Sequence, residues 1–263
     1  MSGDGAGSQA ARNAQAGMVA WDLAEFDPAV NLDQFPPWEE ARAETVADLP
    51  LEDRLAAAGI VGRFKKWTFD TFPRHAGAGK ALKAAKEYAA NATPQPPGLL
   101  LVGPIGTGKT SLAVSVAQAR IEAGDGGFWG WSFAVSSLGR TARGEGWRKP
   151  APVWFESFAD LKARFKREMW DGTDEGELLE EIAGVNLLAL DEIGIGGFTE
   201  WREEVMWEIL GRVEKGRRLV LTSNLGPADL IPMIGERCAD RLSDPETFRV
   251  VAVSGQSLRQ RNR

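Results

Sequence analysis

Eight consecutive residues have the types and the spacing that bind a phosphate chain. Residues 103–110 read GPIGTGKT, and they lie between the apolar run 98–102 and the apolar-rich residues 112–114. This G-x-x-x-x-G-K-[ST] pattern between a strand and a helix is typical of a phosphate-binding loop, because glycine lets backbone N–H groups and the helix N-terminus converge on a phosphate. We expect Lys109 to reach the β- and γ-phosphate oxygens of ATP and Thr110 to bind Mg²⁺ through its hydroxyl. The predicted ATP-binding residues are Gly103, Pro104, Ile105, Gly106, Thr107, Gly108, Lys109, Thr110 and Ser111.

An apolar run that ends in two carboxylates supplies the second part of the predicted site. Residues 185–192 read VNLLALDE, which is typical of a buried parallel strand followed by Asp191 and Glu192. The carboxyl ends of parallel strands lie at the edge of the sheet where the phosphate loop also lies. We therefore predict that Asp191 holds the Mg²⁺ shell and that Glu192 polarises the attacking water.

Polar residues farther along the chain are candidates for the remaining roles. A strand over 217–224 ends in hydroxyls and the amide of Asn224, which would orient the water or sense the γ-phosphate, or else would only initiate the turn before Gly226. A helix begins at Pro227, and it carries Arg237 and Arg241 four residues apart, on one face.

The elements around these residues follow from the hydrophobic periodicity. We predict helices over 110–123, 158–170 and 199–216, and strands over 98–102, 153–155 and 248–253. Ser157 and Asp160 have the spacing of a capping pair at the start of the second helix. Its apolar stripe would point inward, and its basic residues would point to solvent. The stripe contains Phe158, Leu161, Phe165 and Met169, and the basic residues are Lys162, Arg164, Lys166 and Arg167.

These basic residues continue a region in which cations alternate with aromatic side chains. Residues 124–152 are rich in glycine and aromatics, and they interrupt the α/β pattern as an insertion. Cations bind phosphates and rings stack on unpaired bases, so the region predicts contact with single-stranded DNA. The alternative is an ordinary solvated helix face.

The charge is divided unevenly along the chain. The whole chain of 263 residues has a net charge of −6, but residues 1–60 contain three arginines against eleven acids, which leaves 28 basic and 26 acidic residues in the remainder. We predict an acidic, partly disordered arm over 1–62, which docks a partner or packs on its own domain, and an ATPase domain over 63–263. No apolar run reaches the roughly 20 residues that a membrane helix needs, and the first residues lack a signal-peptide core, so we expect a cytoplasmic protein without membrane contact. The single Cys238 excludes an intramolecular disulfide.

From about Phe64 to Arg259 the chain resembles the DnaC/IstB-like branch of the AAA+ ATPases, which contains helicase loaders and transposition helpers. The resemblance depends on several motifs in the right order, namely FDTF at 69–72, GPIGTGKT at 103–110, LLALDEIG at 187–194, LTSNL at 221–225, GERCADRL at 235–242 and GQSLR at 255–259. It implies an α/β three-layer sandwich around a five-stranded parallel sheet, a Mg²⁺-dependent ATPase, homo-oligomer assembly and contact with single-stranded DNA. It also implies that Arg241 is the arginine finger, with Arg237 as the alternative and a surface salt bridge to Asp240 or Glu236 as the non-functional reading.

Two features depart from this family pattern. The insertion lengthens the segment between Lys109 and Asp191, and the N-terminal arm has no Cys-rich zinc module. The resemblance implies an ATPase that helps place a replicative helicase on single-stranded DNA during replication. The alternatives are a transposase helper that binds duplex DNA, or a nucleotide-dependent docking switch with little turnover.

Overall fold

A sheet of five parallel strands lies at the centre of the computed structural model, which describes residues 50–73, 77–91, 93, 95–124, 153–170, 172, 174–255 and 257–258. The strands are β1 (Gly98–Val102), β2 (Val153–Ser157), β3 (Leu187–Asp191), β4 (Arg218–Ser223) and β5 (Phe248–Ala252). They pair in the order β2-β3-β4-β1-β5, and every pair is parallel. The predicted five-stranded parallel sheet is confirmed, whereas most of the predicted arm and nearly all of the insertion lie outside the described residues.

Helices connect these strands and cover both faces of the sheet. Within the described residues they are α1 (Leu51–Ala57), α2 (Gly79–Ala90), α3 (Lys109–Glu122), α4 (Phe158–Trp170), α5 (Glu175–Gly184), α6 (Glu200–Gly211), α7 (Pro227–Ile234) and α8 (Glu236–Ser243), with a 3-10 turn at Gly62–Lys66. The predicted capping of α4 is confirmed, because the Asp160 N–H donates to Ser157 Oγ at 3.0 Å. The predicted helix over 199–216 is too long, since Thr199 is the N-cap of α6 and α-helical hydrogen bonding ends at Gly211.

Strands β1 to β4 are largely buried because their side chains alternate between two apolar layers, whereas most residues of β5 are exposed or half-buried. Leu99 and Leu101 pack with α1, α2 and α3 in one layer, whereas Leu100 packs with α4 to α8 in the other. The fold is therefore the predicted α/β sandwich of three layers.

The strand register brings the predicted site residues to one edge of the sheet. Val102, the last residue of β1, pairs with Ser223 of β4. Asp191, the last residue of β3, pairs with Ser157 of β2, and β3 lies directly beside β4. The phosphate loop, the carboxylates and Asn224 all follow strands that end at this edge.

Candidate nucleotide site

The phosphate loop adopts a backbone conformation that its glycines permit. Gly103, Gly106 and Gly108 have φ angles of 151°, 83° and 96°, a region that side chains with a Cβ rarely enter. The backs of these residues are also packed closely. A Cβ on Gly108 would lie 2.8 Å from the Phe72 ring, and one on Gly103 would collide with the Val253 carbonyl oxygen. Both the turn and its packing therefore require glycine.

The loop opens onto the N-terminus of α3, which fits a phosphate group. Gly108 is the N-cap of α3, and no side chain among the described residues caps the first turn. N–H groups of an uncapped first turn are available to an anion, and the helix dipole favours negative charge there. Lys109 Nζ lies over the loop and donates to the carbonyl oxygens of Gly103 at 2.7 Å and Pro104 at 2.8 Å. These residues form a cradle that suits the phosphates of ATP.

A cluster of hard oxygen ligands lies beside this cradle. The Asp191 carboxylate accepts hydrogen bonds from the hydroxyls of Thr222 and Thr110, so the end of β3 meets the start of α3. Burial raises the pKa of Asp191 above its ordinary value. The hydrogen bonds from Thr222 and Thr110 partly oppose this increase. The charge of Glu192 raises the pKa further, and that of Lys109 lowers it. Carboxylate and hydroxyl oxygens are ligands that Mg²⁺ accepts. The donor set of Thr110 and Asp191 therefore fits the predicted Mg²⁺ role.

Glu192 has a positive φ angle, a backbone conformation that is uncommon for a residue other than glycine. Its φ is 59°, and it is the one non-glycine residue with positive φ in the described part of the chain. Such conformations cost about 1 to 3 kcal/mol and cluster at functional sites. Its N–H donates to Thr222 Oγ1 at 3.0 Å, and the next N–H, that of Ile193, donates to the Thr222 carbonyl at 3.0 Å. Thr222 thus fixes both Asp191 and Glu192, although the sequence analysis did not single it out. A hydroxyl at the end of an apolar strand was the signal that could have identified it.

Asn224 follows β4 between the phosphate loop and the carboxylates. The Gly103 N–H donates to the Ser223 carbonyl at 3.2 Å, which ties the start of the loop to the residue before Asn224. The turn after β4 is closed by Ser223, whose Oγ accepts the Leu225 N–H at 2.9 Å. Ser223 therefore supplies one turn-forming bond directly after β4, and the role of Asn224 stays a prediction.

The two candidate finger arginines share an aromatic ring on α6. The Arg241 guanidinium lies 3.7 Å from the centre of the Trp207 ring, and that of Arg237 lies 5.0 Å from it. Arg241 pairs with Glu214 at 2.8 Å and Arg237 with Glu203 at 2.9 Å, rather than with the neighbours Asp240 or Glu236. The Arg241 side chain is 13% exposed and the Arg237 side chain 48%. Within one chain their contacts are with α6 and with residue 214, which follows it, so neither arginine is brought to the phosphate loop of its own chain by these contacts.

Helix α4 shows a basic face, with two corrections to the prediction. Arg164 does not point to solvent, because its side chain is 12% exposed, pairs with Glu156 at 3.5 Å and stacks on Trp154 at 3.9 Å. Met169 is not buried with the apolar stripe but is 43% exposed. The exposed basic residues, which we call the basic face of α4, are Lys162, Lys166 and Arg167.

The fold and the site together define an AAA+ P-loop protein. Residues 130–263 match the family model described as IstB-like ATP binding protein, and the chain belongs to this family. The match begins after the phosphate loop, so the loop is separate evidence for the same class. None of the described helices has the length and apolar character of a membrane span.

Curated relatives and solved structures agree with this assignment. The chain is 26% identical over 193 residues to "Replicative helicase loader DnaC" of Buchnera aphidicola subsp. Acyrthosiphon pisum, which covers 72% of this chain and 68% of the relative. A crystal structure of the DnaC helicase loader has a TM-score of 0.55 at 22% identity, covering 74% of this chain and 100% of that chain. AMPPCP-bound DnaA from Aquifex aeolicus also has a TM-score of 0.55, at 19% identity, covering 72% of this chain and 50% of DnaA. The chain is thus an ATP-binding protein related to helicase loaders.

Proposed function

We propose that this protein is a Mg²⁺-dependent ATPase that loads or assists a replicative helicase on single-stranded DNA. The observation that carries the proposal is the meeting of Lys109, Thr110, Asp191 and Glu192 at one edge of the sheet, in a chain related to DnaC along most of its length. A buried carboxylate, Asp191, and a half-buried one, Glu192, beside a phosphate cradle are the arrangement that ATP hydrolysis needs. A protein that only bound nucleotide would not need Glu192 in a strained conformation.

Each residue of the site has a definite task in this proposal. Lys109 exchanges its contacts with the carbonyls of Gly103 and Pro104 for contacts with phosphate oxygens. Thr110 and Asp191 would hold Mg²⁺, which neutralises phosphate charge when bound. Glu192 accepts the proton of the attacking water, and Asn224 orients that water. Arg241 supplies charge to the γ-phosphate of a second copy of the chain, which makes turnover depend on homo-oligomer assembly.

The DNA contact is proposed for α4 on the basis of side-chain spacing. Lys162, Lys166 and Trp170 recur every four residues and therefore lie on one stripe of the helix, with Arg167 beside them. Trp170 is 91% exposed, which is unusual for a large aromatic side chain that has no ligand. Cations that bind phosphates next to a ring on which a base stacks are typical of single-strand binding. The stripe supports single-stranded DNA rather than a merely solvated face.

Two measurements test the proposal. The first is steady-state ATP hydrolysis by the full chain in Mg²⁺, with and without a single strand, compared with a duplex of equal length. We expect turnover that the single strand increases more than the duplex does. A preference for duplex would favour a transposase helper, and nucleotide binding without turnover would favour the docking switch.

The second measurement addresses the partner. The full chain and a chain that lacks residues 1–49 are compared for their ability to place the replicative helicase of the source organism on a protein-coated single strand. The deletion stops before α1 because Leu55, Ala58 and Ile60 are buried in the core of the domain. We expect loading that requires ATP and the intact chain. Equal loading with and without the protein would overturn the helicase role while leaving the ATPase role to the first measurement.

A further inference from the structure

A buried arginine links the loop after Glu192 to α4, the helix for which DNA contact is proposed above. Arg202 lies in the first turn of α6, is 4% exposed, and is used by none of the steps described above. Its Nη1 donates to the Ile195 carbonyl at 2.8 Å, and its Nη2 donates to the Ile193 carbonyl. The residue before Ile193 is Glu192. One guanidinium therefore closes the loop that begins at the proposed general base.

The same guanidinium contacts the base of α4. Its central carbon lies 4.5 Å from the centre of the Phe158 ring, and Phe158 is the first residue of α4, with 3% of its surface exposed. The preceding residue, Ser157, pairs in register with Asp191. A displacement of α4 would therefore move the buried Phe158 ring, and that ring contacts Arg202.

The loop itself depends on an external support. It contains Gly194, Gly196 and Gly197, which restrict the backbone little, and Gly196 has a φ of 104°. A Cβ on Gly196 would lie 2.9 Å from Arg202 Nη1, so the loop is packed directly against the guanidinium. On the other side Thr222 holds the N–H groups of Glu192 and Ile193. Glu192 is thus held between a fixed strand, β4, and an arginine that also touches α4.

We infer that Arg202 is a positioning residue that couples DNA contact on α4 to the placement of Glu192, an inference that rests on the function proposed above. Occupation of the basic face and Trp170 shifts the base of α4, the Phe158 ring transmits the shift to Arg202, and the loop sets the Glu192 carboxylate for hydrolysis. Arginine suits this role because its planar fork reaches two carbonyls while its face stacks on a ring, which lysine cannot do. The output is an ATPase rate that reports whether a single strand is bound.

A matched pair of substitutions on α4 tests the coupling. Phe158→Leu removes the ring that touches Arg202, and Phe165→Leu makes the same chemical change at a residue that is 1% exposed but packs edge-on against Trp201. For both variants we measure ATP affinity, single-strand affinity and turnover at saturating ATP with and without saturating single strand. We expect both to keep basal turnover and both affinities within about twofold. Phe158→Leu should lose most of the stimulation by DNA, and Phe165→Leu should keep it.

Arg202→Lys tests the positioning role without reference to DNA. We expect basal turnover to fall by about tenfold or more at unchanged ATP affinity, because the nucleotide cradle is intact while Glu192 is no longer held. Wild-type turnover in this variant, with folding verified by circular dichroism, would overturn the positioning role.

The outcomes separate this inference from the proposed function. If the unsubstituted protein hydrolyses ATP but does not respond to a single strand, DNA-coupled turnover is wrong, and the coupling is wrong with it. If the unsubstituted protein responds and Phe158→Leu responds equally, the proposed function stands and the coupling through Arg202 is overturned. Loss of response in both leucine variants would also overturn it, since helix packing in general would then be responsible.

Discussion

Replacing Arg241 by alanine should separate the proposed catalytic role of this side chain from its structural one. In the folded chain the arginine stacks on Trp207 at 3.7 Å and pairs with Glu214 at 2.8 Å. The stacking contributes about 0.5 to 2 kcal/mol because the Arg241 side chain is only 13% exposed, and a pair with an acid that is 56% exposed contributes at most about 1 kcal/mol. The free energy of unfolding should therefore fall by only about 0.5 to 3 kcal/mol.

The effect on turnover should be much larger. An arginine finger contributes about 10³ to 10⁵ in rate in other NTPases, which corresponds to about 4 to 7 kcal/mol of activation free energy. This arginine is held against α6 of its own chain, and we propose that it acts on a neighbouring copy. Arg241→Ala should therefore bind ATP normally and lose turnover.

Mixing variants tests the action between copies. Lys109→Ala keeps a finger but lacks a working cradle, so a mixture with Arg241→Ala should recover some activity, whereas either variant alone should not. Arg237→Ala is the matched control on the same helix and the same aromatic ring. Wild-type turnover in Arg241→Ala, or rates that do not depend on protein concentration, would refute the mechanism, and loss of turnover in Arg237→Ala alone would transfer the finger role to that residue.

Three further predictions follow from the site, from the basic face and from one buried acid. Lys109→Ala should weaken binding of a fluorescent ATP analogue, whereas Glu192→Gln should bind it normally and fail to hydrolyse ATP; equal affinity for Lys109→Ala and wild type would contradict the assignment of the cradle. Replacing Lys162, Lys166 and Arg167 of the basic face of α4 by glutamate should weaken single-strand binding and flatten its dependence on salt, because fewer counterions are released. An anisotropy titration measures both, with Arg164→Gln at a largely buried position as the control. Unchanged binding after the charge reversal would place the DNA elsewhere. Burial raises the pKa of Glu156 to about 7 from an ordinary value of 4.5, so the folded chain holds this proton more tightly than the unfolded chain and loses stability as the pH rises from about 4.5 to about 7. In urea unfolding, the free energy of unfolding of Glu156→Gln should rise relative to that of the wild type between pH 5 and pH 8. The rise should amount to up to a few kcal/mol, at about 1.4 kcal/mol per pKa unit. A difference in stability that does not change with pH would contradict this reasoning.

The parts of the site that could be predicted from the sequence are those formed by residues that are adjacent in the chain. The phosphate loop and the Asp191–Glu192 pair are local patterns, and a parallel sheet places the ends of its strands together whatever the details of packing. Thr222 and Arg202 were missed because their roles arise from contacts between β4 and β3 and between α6 and the loop, which no local spacing encodes. The partners of Arg241 were missed for the same reason, since Glu214 and Trp207 are distant in sequence.

The errors on α4 have a physical cause as well. Helical periodicity placed Arg164 with the solvent-facing cations, but β2 offers it an aromatic ring in Trp154 and a carboxylate in Glu156. An arginine stem packs well on apolar surface, so this tertiary contact overrides the helical pattern. Met169 is the penultimate residue of α4, and it is 43% exposed although the helical pattern placed it on the apolar stripe.

The position of β1 inside the sheet has a consequence for how the protein is made. Leu100 pairs with Leu221 on one side and with Val250 on the other. Along the sequence, each partner lies more than 100 residues after Leu100. Pairings between such distant residues carry a high loop-closure cost and form slowly. A nascent chain therefore exposes the GPIGTGKT loop long before the strands that support it exist. Competence to bind nucleotide should arise late in synthesis, and chains cut before β4 should carry the whole motif without the ability to use it.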